Sequence, residues 1–312
     1  MDITYLLWLQ DFRISINDAL TPFMEAISFF STHYIILLPA FVYWCLNKRS
    51  GLFIFFAMRI AQTINAAVKL TACVYRPWIK DARIIPAGNA IETAGGYSFP
   101  SGHTMMSVPI YGGLAIYAKK IKWLCWLFIL AILTVMFSRN YLGVHTPQDV
   151  LAGLVLGSLG IWIASYTFKI IDRSPESENK ILIAEAIIAL AVFAYVNLKS
   201  YPMDEVNGKL LVDPNDMTID AWGDIGGLFV LVIARWIEKK FVKFSETGLN
   251  AKGVMLSLIG LIPLGFMIYG LKPIIVGFTN AHLGRLLYET CLMFYIIVIW
   301  PIVLKIFTNN KD

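Results

Sequence analysis

Residues 253–270 read "GVMLSLIGLIPLGFMIYG", a run without one charged side chain. Coiled as a helix, it reaches across most of the roughly 30 Å of hydrocarbon in a bilayer, a thickness that takes about 20 apolar residues to cross. Comparable runs lie near 32–47, 51–73, 103–118, 122–140, 147–168, 181–198, 223–238 and 286–304. Composition agrees with the pattern. Of 312 residues 58% are hydrophobic and 15% charged, too apolar a mixture for a chain whose surface faces water, and the mean hydropathy is +0.66. The expected fold is all-α, a polytopic transmembrane helical bundle of about nine spans.

The first thirty residues follow another rule. Tyr5, Leu6, Trp8, Leu9, Phe12 and Ile16 alternate with Asp2, Gln10, Asp11, Arg13, Asn17 and Asp18, as in an amphipathic helix lying in the membrane interface. A cleaved leader would want a basic start and an unbroken apolar centre. This divides the chain into an interfacial helix over 1–31, a transmembrane core over 32–170 and additional helices over 171–312.

Lys and Arg collect in alternate connections: Lys48/Arg49, Lys119/Lys120/Lys122, Lys169/Arg173/Lys180 and Arg235/Lys239/Lys240/Lys243/Lys252, with Lys305 and Lys311 near the C-terminus. By the positive-inside rule these share the cytoplasmic side. The net charge of +5 is then a matter of topology, and no nucleic-acid partner is needed to explain it. Cys45, Cys73, Cys125 and Cys291 are single, in or beside apolar runs, and read as inert core residues.

Polar side chains inside apolar spans are costly and mark function. They form three groups: "KLTACVYRP" with Lys69, Arg76 and Pro77; "FPSGHT" with Ser101, Gly102 and His103; and "SRNYLGVHTPQD" with Ser138, Arg139, His145 and Asp149. Given the alternation of spans, all three reach the outer face. Lys69 and Arg76 lie two helical turns apart on one stripe, which Gln62 and Asn65 continue inward. Ser101 is placed to cap the third span and Thr146 the fifth, with Pro147 at its first position. Two helix starts plus Lys69, Arg76 and Arg139 suit a multiply charged oxyanion, phosphate best. His145 stands four residues before Asp149, close enough for the carboxylate to fix its tautomer and leave the other ring nitrogen free to attack. His103 has no carboxylate nearby. If both converge on one phosphorus, His145 acts as nucleophile and His103 as general acid. No His/Asp/Glu cluster has metal-ligand spacing here, so neither metal nor cofactor is expected.

The three groups resemble the signature motifs of the type 2 phosphatidic acid phosphatase superfamily, which includes lipid phosphate phosphatases, glucose-6-phosphatase and vanadium haloperoxidases: K-x6-R-P from Lys69 to Pro77, P-S-G-H from Pro100 to His103, and S-R-x5-H-x3-D from Ser138 to Asp149. The resemblance covers about 50–170. It implies that His145 is the nucleophile, that Asp149 orients it, that His103 protonates the leaving group, and that Lys69, Arg76, Ser101, Gly102 and Arg139 bind the phosphoryl oxygens without a metal. The implied activity is hydrolysis of a lipid or isoprenoid phosphate or diphosphate through a phosphohistidine, at the extracytoplasmic face of a membrane for which the bacterial inner membrane is the simplest home. The helices after 171 depart from the common lipid phosphatases. They keep open a glucose-6-phosphatase-like hydrolase of a soluble ester, and from another class a non-catalytic lipid-phosphate binder or transporter.

Other polar residues carry plainer expectations. His33 and His282 read as interfacial, Arg59 as snorkelling or paired within the bundle. Glu289 and Asp224 could line a substrate entrance or be solvated. The glycine-bearing loop from Pro77 to Phe99, with Trp78, Arg83 and Glu92, has the composition of a mobile cover.

Overall fold

The computed structural model describes residues 2–308; Met1 and residues 309–312, Lys311 among them, lie outside the described residues. The chain folds into helices α1 (Asp2–Ser15), α2 (Thr21–His33), α3 (Leu37–Phe41), α4 (Lys48–Ala72), α5 (Pro77–Lys80), α6 (Gly102–Tyr117), α7 (Lys122–Tyr141), α8 (Pro147–Arg173), α9 (Glu178–Leu198), α10 (Pro214–Ile237), α11 (Ala251–Phe266), α12 (Lys272–Phe278), α13 (Ala281–Phe294) and α14 (Trp300–Thr308). A two-residue hairpin pairs Glu205–Val206 with Lys209–Leu210. This is an integral-membrane helical bundle.

Among the described residues seven helical stretches are long and apolar enough to cross a bilayer, or eight if the pair Thr21–His33 and Leu37–Leu46, bent by 48°, counts as one. The expectation of nine differs at two places. The run at 32–47 begins inside α2 and turns at Tyr34–Ile36, while α6 has only 16 residues, about 24 Å of helix. The N-terminal segment is likewise two helices instead of one. The chain reverses where Asn17 and Asp18 take left-handed backbone angles, which short polar side chains tolerate. Downstream, the connection between the apolar runs at 181–198 and 223–238 is shorter than those bounds imply, because Asp213 caps α10 by accepting from the Asn215 N–H at 2.8 Å and Pro214 takes the first helical position.

Two packed groups meet along α4. On one side α4, α6, α7 and α8 pack together; on the other α10 lies against α4, α9 and α13. Small residues set the first group's spacing. A Cβ at Gly157 would lie 2.9 Å from Val108 and one at Gly160 2.9 Å from the Ala57 carbonyl, so α8 approaches α6 and α4 at backbone distance. At one end of the bundle basic residues from two of those loops meet acidic partners: Lys48 pairs with Glu238 at 2.6 Å, Arg235 with Glu178 at 2.8 Å, and Arg49 with Asp172. The three motif groups lie at the opposite helix ends, the C-terminal ends of α4 and α7 and the starts of α6 and α8.

Candidate active site

Each motif residue is positioned by the end of a helix. α4 stops at Ala72, with Cys73 in the left-handed region; the chain then runs extended through Arg76, whose side chain turns inward because Pro77 starts a new short helix. Buried Arg76 spends its guanidinium on four acceptors. Nε donates to the Gly96 carbonyl at 3.0 Å, Nη2 to that of Gly95 at 2.9 Å, and Nη1 to the Val144 carbonyl at 3.0 Å and to His145 Nε2 at 2.8 Å. Because a guanidinium can only donate, Nε2 is the acceptor and Nδ1 carries the ring proton. That proton faces Asp149 Oδ2 at 3.4 Å and Ser98 Oγ at 3.4 Å.

Asp149 Oδ2 is the hub of this cluster. It accepts from the Ser98 hydroxyl at 2.5 Å and from the Thr146 N–H at 2.8 Å, the second bond completing a capping box at the start of α8. Asn140 holds the neighbouring backbone, donating to the His145 carbonyl at 2.9 Å. The ring of His145 lies between helices, 1% exposed. Burial, first, and the Arg76 charge, second, hold it well below the ordinary imidazole range, against the opposing pull of Asp149. A neutral imidazole with its Nε2 lone pair directed at Arg76 is the resting arrangement.

The start of α6 differs from that of α8. Ser101 occupies the cap position but its side chain makes no capping bond, and its N–H donates to the Asp149 carbonyl at 3.0 Å, which ties the two helix starts together. Of the two helix starts expected to serve an anion, that of α8 is capped as expected by Thr146 and closed, and that of α6 lacks the expected Ser101 cap. Asp149, three residues after Thr146, is able to reach back to the backbone; the equivalent position of α6 is Thr104, whose hydroxyl turns to Ser101 Oγ at 3.2 Å. The free N–H groups at α6 remain available to an anion.

These groups open on one cavity of about 620 Å³, whose lining includes Lys69, Arg76, Gly102, His103 and His145. Gln62 and Asn65 line it too, so the polar stripe of α4 faces the cavity. Lys69 Nζ donates to the Tyr97 carbonyl at 3.2 Å. The buried Nε2 of His103 has no hydrogen-bond partner among the described residues, nor do Nε and Nη2 of Arg139, whose Nη1 donates to Ser28 of α2. Ser101, Arg139 and Asp149 stand behind the lining. His33 also reaches the cavity, Arg59 is ion-paired with Glu289 at 2.6 Å, and His282 lies 3.0 Å from the Thr218 hydroxyl. The loop after Pro77 is fastened rather than free: Arg13 donates to the Ile85 carbonyl at 2.9 Å, Gln10 accepts from the Ile85 N–H at 2.7 Å and Glu25 from the Asn89 N–H at 2.6 Å.

Sequence reasoning missed Ser98. Its position two residues before Pro100, in a loop, carries no helical period, although a serine so close to "PSGH" was a visible hint. Ser98→Ala removes a hydrogen bond to a charged acceptor, and kcat is expected to fall roughly tenfold with KM nearly unchanged. Steady-state kinetics checks this; a rise in KM at constant kcat would place Ser98 in substrate binding.

Residues 50–172 match the PAP2 superfamily. Among curated proteins, the chain is 38% identical over 79 residues to an undecaprenyl-diphosphatase of Sulfolobus acidocaldarius, covering 25% of this chain and 36% of that one. It is 31% identical over 120 residues to a lipid A 4'-phosphatase of Bacteroides thetaiotaomicron, covering 35% and 52%. It is also 31% identical over 138 residues to the bacitracin transport permease protein BcrC of Bacillus licheniformis, covering 43% and 65%. The chain thus spans from about a third to just under two thirds of the curated relatives it matches. No solved structure matches.

Proposed function

We propose, for a chain whose residues 50–172 match the PAP2 superfamily, that it is a metal-independent membrane phosphatase hydrolysing a lipid-linked phosphate or diphosphate through a phosphohistidine. The observation that carries this is His145, with its Nδ1 proton turned to Asp149 and Ser98 and its Nε2 lone pair at the cavity beside Arg76, Lys69 and the unpartnered His103. The names of three relatives, an undecaprenyl-diphosphatase, a putative undecaprenyl-diphosphatase and a lipid A 4'-phosphatase, support a lipid-phosphate substrate.

In the resting site Arg76 occupies the nucleophile's lone pair. A phosphoryl group entering between them gives Arg76 an anionic oxygen in exchange for a ring nitrogen and exposes Nε2 for attack. As the N–P bond forms, the P–O bond to the leaving group breaks, and the electron pair on the leaving oxygen takes a proton from His103. Lys69, Arg76, Arg139 and the α6 start hold the charge spreading over the equatorial oxygens. Water then attacks phosphorus, giving its proton to His103, and the N–P bond electrons return to His145. Asp149 balances the ring charge in between. A membrane-embedded site suits a substrate whose tail stays in hydrocarbon.

The test is phosphate release by purified protein in mixed micelles containing EDTA, across phosphatidate, phosphatidylglycerophosphate, undecaprenyl diphosphate and glucose 6-phosphate, with His145→Ala as control. Release from a lipid in EDTA supports the reading. Activity lost to EDTA and restored by magnesium, or no release from any ester, defeats it.

The protonation of His145 is open to a separate test. Because burial and Arg76 favour its neutral form, the folded ring keeps its lone pair as pH falls through the ordinary value of about 6.5 and loses it only lower. Imidazole nitrogen NMR of the substrate-free protein, assigned with His145→Ala, should give a midpoint below that value; one at or above it contradicts the arrangement.

A further inference from the structure

The cavity is larger than a phosphoryl group needs. From Lys69 it continues along α4 past Asn65 and Gln62 to Arg59, about 15 Å of helix rise, and its far wall comes from α10, α12 and α13, outside the PAP2-matching segment. That far end is a built polar chamber. Arg59 and Arg285 both grip Glu289, at 2.6 and 3.2 Å. α10 makes room for the two guanidinium groups with glycine: a Cβ at Gly227 would sit 2.3 Å from Arg59 Nη1, and one at Gly223 2.5 Å from Arg285 Nε. The Nε atoms of Arg59 and Arg285 are buried without a partner among the described residues. On the same α10, one turn apart, Asp220 and Asp224 reach the cavity, Asp224 accepting a long 3.4 Å bond from Gln62, and Lys272 of α12 faces them.

Charge separates the two ends. The phosphoryl end sets Lys69, Arg76 and Arg139 against Asp149 and Glu92, a surplus of one positive charge suited to phosphate. The chamber sets Arg59, Lys272 and Arg285 against Asp220, Asp224 and Glu289, which leaves no surplus for a second phosphate. An apolar tail would gain nothing there, since it would strip water from charges and return no hydrogen bonds. A neutral group offering donors to carboxylates and acceptors to guanidinium and ammonium groups satisfies both sets.

We propose that this chamber binds a polyhydroxylated alcohol, a sugar or polyol, to which the scissile phosphate is esterified. It rests on the phosphatase reading and sharpens it: the leaving group is a hydroxylated head, either carried on a lipid or free as a sugar phosphate. The extra helices after residue 171 then serve as a specificity wall.

The experiment compares kcat/KM for phosphatidate, a glycolipid that carries its phosphate on a sugar, and glucose 6-phosphate, in wild-type protein and Asp224→Asn. Either polyol ester should exceed phosphatidate by about tenfold or more, and Asp224→Asn should shrink that ratio about tenfold, the worth of one or two hydrogen bonds to charged groups. Turnover of the lipid ester alone assigns the head to a lipid; turnover of glucose 6-phosphate assigns it to a free sugar phosphate. Equal or better turnover of phosphatidate overturns the proposal, as does a ratio unmoved by Asp224→Asn. Hydrolysis of undecaprenyl diphosphate alone overturns the chamber and leaves the phosphatase reading standing; if neither it nor any of these esters is hydrolysed, the phosphatase reading fails, and calorimetry decides the chamber by itself. A polyol phosphate that binds tighter than its plain counterpart (inorganic phosphate for the sugar, phosphatidate for the lipid) upholds it, and equal affinities overturn it.

Discussion

His145→Ala is expected to lower phosphate release by on the order of 10⁴-fold or more, with the protein still folded. The ring lies in an already crowded cluster, but its bonds are ones the remaining groups can partly replace. Ser98 and Thr146 still satisfy Asp149, at 2.5 and 2.8 Å, and Arg76 keeps its three carbonyl acceptors. In the proposed mechanism what goes is the atom that takes the phosphoryl group, and no bound water in its place is as nucleophilic as a neutral imidazole. Single-turnover assays with a radiolabelled substrate, quenched in alkali where phosphohistidine survives, read both halves of the claim. Wild-type protein should show transient label and His145→Ala none. Residual turnover above about one part in a hundred would mean that another group or water attacks directly, and the phosphohistidine would have to be given up.

Asp149→Asn should be nearly as damaging, roughly 10³- to 10⁴-fold in kcat with little change in KM, as when a histidine's carboxylate partner becomes an amide elsewhere. Asp149 Oδ2 gathers three donors, from Ser98, Thr146 and His145. In the proposed mechanism an amide cannot carry the charge that would balance a phosphorylated ring. If its nitrogen turns to His145, the proton moves to Nε2 and the attacking lone pair is lost. The same substitution weakens the α8 capping box by about 1 kcal/mol, so a small loss in Tm accompanies the kinetic one. A variant that loses only stability would reduce Asp149 to a helix cap. A rise in KM that matches the fall in kcat/KM would make it a binding residue.

Much of this molecule is written locally. Runs of apolar residues identify helices because each backbone group in hydrocarbon must bond within its own segment, and the starts and stops of α4, α7 and α8 fall within a few residues of expectation. The motif residues are legible for a related reason. Lys69, Arg76, His103, His145 and Asp149 are expensive side chains in or beside apolar surroundings, and their order and spacing leave little freedom in what they could be. Arg59 reads from sequence as snorkelling or paired, and it pairs with Glu289, 230 residues away.

The sequence by itself determined the bundle, the end of it where the three motifs meet, and the pairing of His145 with Asp149, since each follows from near neighbours: hydropathy over one turn after another, or two side chains four residues apart on one chain. Only the tertiary structure decided that Arg76 rests on the Nε2 lone pair of His145, that Ser98 bonds Asp149 behind it, that α6 begins open where α8 is capped, and that α10, α12 and α13 extend the cavity into a chamber lined by both signs of charge. Those facts depend on how helices distant in sequence pack against one another. Packing is set by complementary shapes, such as the glycines of α10 against two guanidinium groups, which no local pattern of residues records.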